Sequence, residues 1–559
     1  PMTAGFQNFP GGLTISNGTL KALGGSWTTS FFGNVSPRNI MVYSNATLET
    51  TTHSLGGLGA AFYAPTITLN DGATWLMDAE QYLNGSNLIL KGATISIAAF
   101  ELRLQGGSVT INSSSLPCLI SGAGSVMLFG ATTLNVANGP LANDLTVSVP
   151  VTSSGTQSLT KAGAGTMSLT KPSTYTGTTT VSSGTLSLLG GKDTLPPATS
   201  LSINAGASLA LNNNDQTVAG FSGSGNVQLG YGTLSLALAN SFTYGGKISG
   251  SPTGAPLPPN SGVLNPGGMT KSGAGRMTLT ANQIYVGDTL IKAGTLALNG
   301  SGGMSASSNI FVTSTLDVTA RTAGSMTLGE GQSLKGNGSV LGAIVVASGS
   351  TIAPGQSIGT LTTGAETWLG GGSYQWEITH ATSPGSWDSL AINGSLTLGA
   401  SATNQFTLRF VSPGGALPGF NNASNYTWTI ATTTGGILSF DPAQFNVDTS
   451  GLGVNPGGGR FNVLLQDNNL VLTFTPYAAT MPPAINSFAI LPNGSFTLNG
   501  TGLANQDYVL VAATNLLSPI TWSPIVTNTA DTNGLFNFTD PRATNFLQQF
   551  YRVTVPSIP

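Results

Sequence analysis

Carboxylates and histidines are the side chains through which this chain would carry out acid–base or metal chemistry, and both are scarce. The 559 residues include 20 Asp and Glu residues and two histidines, His53 and His380. Glycan cleavage needs paired carboxylates on one face. Only one short stretch, with Asp71, Asp78 and Glu80, brings acids together in sequence. We interpret these three as loop and surface carboxylates.

The remaining chemical motifs point the same way. The isolated Asp144, Asp193, Asp215, Asp288 and Asp317 are predicted turn residues, since Asp bonds its own backbone in turns. No second His or Cys lies at metal-ligand spacing from either histidine, and the sequence lacks a GxSxG elbow and an EF-hand calcium loop. Its glycine clusters lack the helix that a phosphate cradle requires. We therefore expect no catalytic site, no cofactor and no metal.

Composition excludes further classes of protein. Only 7% of residues are charged, against about 25% in ordinary soluble proteins. Seventeen Lys and Arg residues with a net charge of −3 cannot build a phosphate-neutralising face, so nucleic acid is not an expected partner. No apolar run is long enough to predict a membrane-spanning helix. The single cysteine, Cys118, is predicted to be a buried apolar residue. The start at Pro1 predicts earlier trimming of the chain.

Glycine is enriched in this sequence, in contrast to the scarce charged residues. The chain has 76 glycines, roughly twice the usual share of about 7%. Flexible Gly/Ser linkers would have this bias too. However, 40% of the residues are hydrophobic and they alternate with Ser, Thr and Asn. This pattern predicts folded β-structure with glycines at the turns, where a positive φ is needed.

Two segments align without a gap. Residues 161–190 and 271–300 are identical at fifteen of thirty positions, including Lys161/Lys271 and Tyr175/Tyr285. Inside each copy, short stretches of alternating Met or Leu with Ser or Thr lie between glycines. A unit of this size cannot bury its own apolar face, so it must stack on its neighbours. The repeat predicts an all-β fold, a right-handed parallel β-solenoid (β-helix).

The rest of the chain is divided by its pattern. Residues 1–150 are predicted to be a degenerate β-solenoid, and 151–365 a β-solenoid with the two clear repeats. Residues 249–268, rich in Gly and Pro, predict a projecting loop, with an inter-domain linker as the alternative. Aromatic residues and longer strands across 366–480 predict a β-rich cap. After a linker, residues 484–559 predict a small C-terminal β-sandwich.

These segments carry a family resemblance. TYTGTTTVSSGTLSL at 174–188 and IYVGDTLIKAGTLAL at 284–298 resemble the passenger-associated transport repeat of autotransporter surface proteins. APGQSIGTL at 353–361 is similar to the closing coil of such passengers, and the tail is similar to a C-terminal module of secreted bacterial proteins. The resemblance implies a location outside a Gram-negative cell. The last 80 residues are too few for an autotransporter's membrane β-barrel, so we expect another export route.

Three functions follow as hypotheses. The first is a structural surface protein that associates with copies of itself into a fibre, filament or surface layer, since low charge opposes association little. Phe6 and Phe9 would form a self-assembly segment, or else cap their own solenoid. The second is an adhesin that binds surface glycans, with the aromatic residues of 366–430 as a stacking platform or as core. The third is a polysaccharide-degrading enzyme, which the scarcity of carboxylates disfavours.

Overall fold

The fold is described from a computed structural model of the chain. The residues that it describes are 2–3, 12–23, 39–51, 65–250, 267–476 and 482–555. Within them the only helices are two 3₁₀ turns, Pro442–Gln444 and Ala543–Asn545. No helix in these ranges has the length and apolar character needed to cross a membrane. Phe6, Phe9, His53 and most of the predicted loop 249–268 lie outside the described residues.

The chain forms two compact units. The first comprises residues 1–421, 426–454 and 461–474, and the second comprises 422–425, 455–460 and 475–559. The first unit is built from parallel ladders, which confirms the predicted β-solenoid. The domain boundaries predicted within it stay predictions.

The longest ladder of the first unit runs through nearly all of its rungs. Its strands are Leu13–Ile15, Asn39–Val42, Thr66–Leu69, Asn87–Leu90, Val109–Ile111, Thr132–Val136, Leu159–Ala162, Thr179–Val181, Ser200–Ile203, Gly220–Gly223, Phe242–Tyr244, Arg276–Leu279, Thr295–Gly300, Thr315–Arg321, Ser339–Leu341, Thr360–Thr363, Ser389–Ile392, Tyr426–Thr433, Arg460–Gln466 and Asn469–Thr475.

Two further ladders complete the earlier rungs. One has the strands Met2–Thr3, Gly18–Leu23, Ala46–Thr50, Thr74–Met77, Thr94–Ile97, Cys118–Gly122, Leu145–Val147, Thr166–Leu169, Thr185–Leu188, Ser208–Ala210, Asn226–Gln228 and Ile248–Ser249. The other has the strands Gln81–Asn84, Glu101–Gln105, Ser125–Leu128 and Val151–Ser153.

Two more ladders complete the later rungs. One has the strands Gln216–Val218, Leu234–Ala237, Met269–Ser272, Thr289–Ile291, Asn309–Val312, Ser333–Gly336, Thr351–Pro354, Ser373–Glu377, Phe406–Val411 and Phe445–Gly451. The other has the strands Ser325–Leu328, Ala343–Val346, Glu366–Leu369, Leu396–Gly399 and Ile437–Leu438.

Stacked apolar columns explain why such short strands form. Successive strands of a sheet lie about 4.8 Å apart, so equivalent side chains of neighbouring rungs touch. Met167 pairs with Leu145 on one side and Leu186 on the other, and all three are buried. The residues that alternate with these positions point to the opposite face of each strand and are Ser and Thr. Thr146 is partly exposed, whereas Ser168 and Ser187 are buried. The period-2 pattern of the sequence is therefore the inside–outside pattern of the solenoid.

Each clear repeat comprises two successive rungs. In the first repeat, Leu159–Ala162 pairs with Thr179–Val181, so positions 20 residues apart stack, as Leu159 does on Thr179. Met269 stacks on Thr289 in the same way in the second repeat. The sequence duplication thus reproduces a duplicated pair of rungs, although the two repeats contribute strands to different pairs of ladders.

The aromatic-rich region continues the parallel pairing of the solenoid. Glu366–Leu369 pairs in parallel with Ala343–Val346, and Ser373–Glu377 pairs in parallel with Phe406–Val411. The first antiparallel partner of the long ladder is Asn469–Thr475, which pairs with Tyr426–Thr433. Parallel pairing therefore continues into residues 366–480, and the cap predicted for this stretch stays a prediction.

The second unit contains two three-stranded antiparallel sheets. The first sheet orders Ala484–Ile490, Phe496–Thr501 and Leu535–Asp540, and the second orders Ser523–Thr529, Asp507–Ala513 and Phe550–Thr554. Their buried side chains form one cluster, whose members are Leu498, Tyr508, Leu510, Ala530, Phe536, Phe538 and Val553. This arrangement is consistent with the predicted C-terminal β-sandwich, which stays a prediction.

Candidate functional site

The predicted acidic stretch is divided among separate ion pairs. Asp71 accepts a hydrogen bond from Ser114 and lies 2.9 Å from Lys91 Nζ, and these two contacts lower the pKa of its carboxyl. Glu80 forms an ion pair with Arg103 and is buried, so its predicted surface position is wrong. Throughout the described ranges, no three His, Cys, Asp or Glu side chains are grouped closely enough to hold a metal ion.

The side chains of three isolated aspartates accept hydrogen bonds from backbone N–H groups that are distant in the sequence. Asp144 accepts from the N–H of Thr166, Asp193 from that of Thr217, and Asp215 from that of Thr233, at 2.7–2.8 Å. Each of these bonds joins one rung to a neighbouring rung. Asp317 lies within the strand Thr315–Arg321, so its predicted turn position is wrong. It accepts from the N–H of Thr319 at 3.0 Å and from Arg276 at 2.7 Å. Asp288 accepts a hydrogen bond from Asn309 at 2.8 Å.

Two of these aspartates come together on the surface of the solenoid. Asp215 and Asp288 line an open groove of about 460 Å³. Its other lining residues are Lys192, Asn213, Asn214, Tyr231, Thr233, Gly268, Thr270 and Leu290. Sequence distance concealed this grouping, because the residues belong to different rungs. We name this feature the polar groove.

The lysine shared by the two repeats occupies a core position. Lys161 is 1% exposed and stands in an apolar column between Leu134 and Val181. Its ammonium group donates to the carbonyl oxygens of Ala162, Gly163 and Ser183 at 2.9, 2.8 and 3.0 Å. The first two carbonyls belong to its own rung and the third to a stacked rung, so the lysine joins two rungs.

Lys271 repeats this geometry 110 residues later. It is fully buried, and it donates to the carbonyl oxygens of Ser272, Gly273 and Ala293 at 2.9, 2.8 and 3.0 Å. Burial lowers the pKa of both lysines, and for Lys161 the value falls to about 8 although Asp144 acts in the opposite direction. We call Lys161 and Lys271 the rung lysines.

The shared tyrosine is also part of a duplicated hydrogen-bond network. Tyr175 and Thr179 place their hydroxyl oxygens 2.6 Å apart, and Thr179 is 2.9 Å from the hydroxyl of Thr199. In the second repeat Tyr285, Thr289 and Ser307 have the same spacings of 2.6 and 2.9 Å. The identities between the repeats thus serve to satisfy polar groups inside the solenoid.

Two buried carboxyl groups were missed by the sequence analysis. Glu366 accepts from the hydroxyl of Thr363 and the indole N–H of Trp368, both at 2.6 Å, and burial raises its pKa to about 7. Asp388 accepts from the N–H groups of Gly359 and Glu377 at 2.9 Å, and burial raises its pKa to about 8. These are fixed structural contacts inside the core.

The histidine and the cysteine have local roles. His380 Nδ1 lies 3.1 Å from the hydroxyl of Ser383, a pair that would need a carboxylate to orient the ring before it resembled a nucleophilic triad. Among the described residues, no carboxylate contacts His380. Cys118 is buried, its sulfur accepts from the N–H of Gly92, and burial raises its pKa.

The aromatic stacking platform considered for residues 366–430 is not formed by the main aromatic residues of this stretch. The side chains of Trp368, Tyr374, Trp376, Phe406, Phe410 and Trp428 are all at most 2% exposed. Trp368 stacks on Phe406 with ring centroids 4.5 Å apart. These rings are core residues, so a surface that binds glycans must use other side chains.

Comparison with known proteins extends these observations. The chain matches the passenger-associated-transport-repeat family at residues 159–188 and 269–298, which are the duplicated rungs. It is 30% identical over 515 residues to a Brucella suis biovar 1 (strain 1330) protein described as an adhesin, the BmaC autotransporter. That alignment covers 88% of this chain and 14% of the relative.

A second relative matches over a much shorter stretch. An extracellular serine protease of Serratia marcescens is 37% identical over 95 residues, which is 17% of this chain and 7% of the relative. The chain therefore spans only a small part of either relative. Together with the stacked parallel strands, the repeat match and the adhesin match confirm the resemblance to an autotransporter passenger.

Proposed function

We propose, on the premise that this β-solenoid carries two passenger-associated transport repeats, that the chain is the adhesive part of a secreted or surface-exposed protein of a Gram-negative bacterium and has no enzymatic activity. The observation that carries the proposal is the similarity to an adhesin along 88% of this chain. The short match to a protease covers 17% of the chain and supports a shared scaffold rather than shared chemistry.

The contact surface that we propose is the polar groove. Its lining contains two carboxylates, Asp215 and Asp288, and one ammonium group, Lys192. Two amide side chains and one tyrosine, Tyr231, add hydrogen-bonding groups and an aromatic ring. Such a mixture of donors, acceptors and an aromatic face suits the hydroxyl groups and the apolar faces of an uncharged glycan.

A glycan array probed with the full chain at a concentration where it is monomeric tests this proposal. We expect the wild-type chain to bind uncharged glycans. Asp288→Asn and Lys192→Ala should each weaken binding at least tenfold, whereas Lys292→Ala, at an exposed lysine outside the groove, should leave it unchanged. Absence of binding by the wild-type chain, or full binding by both groove variants, would contradict the proposal.

Association into a fibre or a surface layer stays a second prediction. Phe6 and Phe9, which the sequence suggested for this role, lie outside the described residues. The specific feature that favours contact between copies is instead an apolar edge in the second unit.

A further inference from the structure

The second unit exposes an apolar cleft along one edge of a sheet. Phe488 and Ile490 on the strand Ala484–Ile490 are 71% and 76% exposed, and Leu547 is fully exposed. With Phe546 they border a cleft of about 370 Å³, in which Phe496 stacks on Tyr551 with ring centroids 4.0 Å apart. Its remaining lining residues are Gly494, Ala543, Thr544, Gln548 and Gln549, so the cleft contains no charged side chain.

The strand beside the cleft lies at a sheet edge. Among the described residues, Ala484–Ile490 pairs only with Phe496–Thr501, and all seven residues of the strand are exposed. Proteins usually protect such an edge with Lys, Pro or a bulge. This strand, AINSFAI, has neither Lys nor Pro. A register shift between Ile485 and Ser487 affects only its first half, which leaves Ser487–Ile490 as a regular edge.

The composition of this edge strand favours a second copy of the chain as its partner. Short segments without charge or Pro can pair with copies of themselves, and AINSFAI has three strong strand formers, Ile485, Phe488 and Ile490, and no charge, Pro or Gly. An uncharged, apolar cleft also meets an identical cleft without like-charge repulsion, and a two-fold axis would place the same patch on both sides. We propose that this face binds a second copy of the chain, with the edges of the two sheets side by side.

The exposed area sets the strength of the contact. Phe488, Ile490, Phe546 and Leu547 together expose on the order of 500 Å², taking about 170 Å² for a large apolar side chain. A two-fold contact would bury on the order of 1,000 Å² in total, which is the lower end for specific interfaces. The dimer is therefore weak in dilute solution and is favoured where many copies are held on one surface, because tethering raises the effective concentration.

Sedimentation velocity of the full chain between about 1 and 200 μM tests the proposal. The wild-type chain should pass from monomer to dimer across this range. Ile490→Lys and Phe488→Lys, at side chains that are mostly exposed, should each raise the dissociation constant at least tenfold. Leu517→Lys is the matched control, because Leu517 is 78% exposed in the same unit and outside the cleft.

The outcomes separate this inference from the adhesive role, because the assay contains no glycan. Near-UV circular dichroism checks that each variant is folded, and two lysine variants are used so that one folded variant suffices. A wild-type chain that stays monomeric would overturn the proposal, even if another peptide or a glycan binds in the cleft. Equal effects of the cleft variants and of Leu517→Lys would also overturn it.

Discussion

Buried ionisable side chains have different hydrogen-bond partners in two regions of the solenoid. In the repeats the buried groups are the rung lysines, whose ammonium groups each donate to three carbonyl oxygens of two rungs. In the aromatic-rich region they are carboxyls, Glu366 and Asp388, each receiving two hydrogen bonds. The lysine contact is duplicated with the sequence, whereas each carboxyl has its own partners. Each repeat therefore contains both its buried lysine and the three carbonyl oxygens that accept from it.

The largest effect is expected at Gly184, in the tight bend next to the carbonyl that accepts from Lys161. Gly184 has φ of +65°, and a Cβ there would lie 2.4 Å from the carbonyl oxygen of Gly165 in the rung below. Gly184→Ala should lower the free energy of unfolding by about 4 kcal/mol, since both the backbone and the stacking must shift. Urea unfolding followed by circular dichroism measures this.

Gly191→Ala provides the control for that variant. Gly191 also has a positive φ, +85°, but a Cβ there meets no described atom within 4 Å. It should cost only about 1 kcal/mol, the strain of the left-handed backbone alone. Equal losses for the two variants would mean that the rungs do not lie against each other at Gly184.

Removing a rung lysine should have the next largest effect. Lys161→Met keeps the buried aliphatic stem and leaves three carbonyl oxygens without their donor. We expect a loss of about 3 kcal/mol, and the same loss for Lys271→Met, because buried acceptors without partners are costly. Lys292→Met, at an exposed lysine, should change the urea midpoint little. Different losses of stability in the two repeats would show that Lys161 and Lys271 are not equivalent.

The buried carboxyls should act through pH. Folding raises the pKa of Glu366 from 4.5 to about 7, so the folded chain binds more protons between these values and its stability falls as pH rises through them. Glu366→Gln keeps an acceptor for Trp368 and removes the charge. The variant should match the wild-type chain below pH 4 and exceed it by about 3 kcal/mol at pH 8.

Unfolding curves across pH, with Glu330→Gln as the exposed control, measure this difference. Asp388 contributes a fall of the same sign between pH 3.8 and about 8, which remains in the Glu366 variant. A stability difference between the wild-type chain and Glu366→Gln that stays constant over this window would show that the carboxyl is solvated, and would contradict the prediction.

The smallest expected effect concerns the hydroxyl chains. Thr179→Val removes the hydroxyl between Tyr175 and Thr199 while keeping a side chain of the same shape, and Thr289→Val does so in the second repeat. Each should cost about 1 kcal/mol. Urea midpoints that fall equally in both variants would support equivalent hydroxyl networks in the two repeats. A loss in one repeat only would contradict it.

The sequence alone predicted those features that depend on local pattern. Alternation of Met167 and Leu169 with Ser and Thr predicted inward-facing columns, and the duplicated segments predicted stacked rungs. The same alternation also indicates that the rung lysines are buried, because Lys161 lies two residues after the inward-facing Leu159 on the same face of its strand. Glu366 likewise shares the parity of Trp368. Neither signal predicts burial by itself, since charged residues ordinarily lie at the surface.

Other features depend on contacts that no local pattern contains. Asp215 and Asp288 meet at the polar groove only because loops of separate rungs lie on the same side of the solenoid. Asp388 is buried by contacts with segments that precede it in the chain, at Gly359 and Glu377. The exposure of Phe488 follows from the order of strands in its sheet, which alternation alone does not determine.

Disulfide trapping of stacked rungs tests the central claim, the parallel stacking of the repeat, most directly. Thr160 pairs with Thr180, and Thr180 pairs with Ser202, on outward-facing positions of successive rungs. The Thr160→Cys/Thr180→Cys variant should form an intramolecular disulfide on mild oxidation, since paired strands place Cα atoms within bonding range. Thr160→Cys/Ser202→Cys, two rungs apart, should not. Efficient cross-linking of the second pair, or none of the first, would contradict the account.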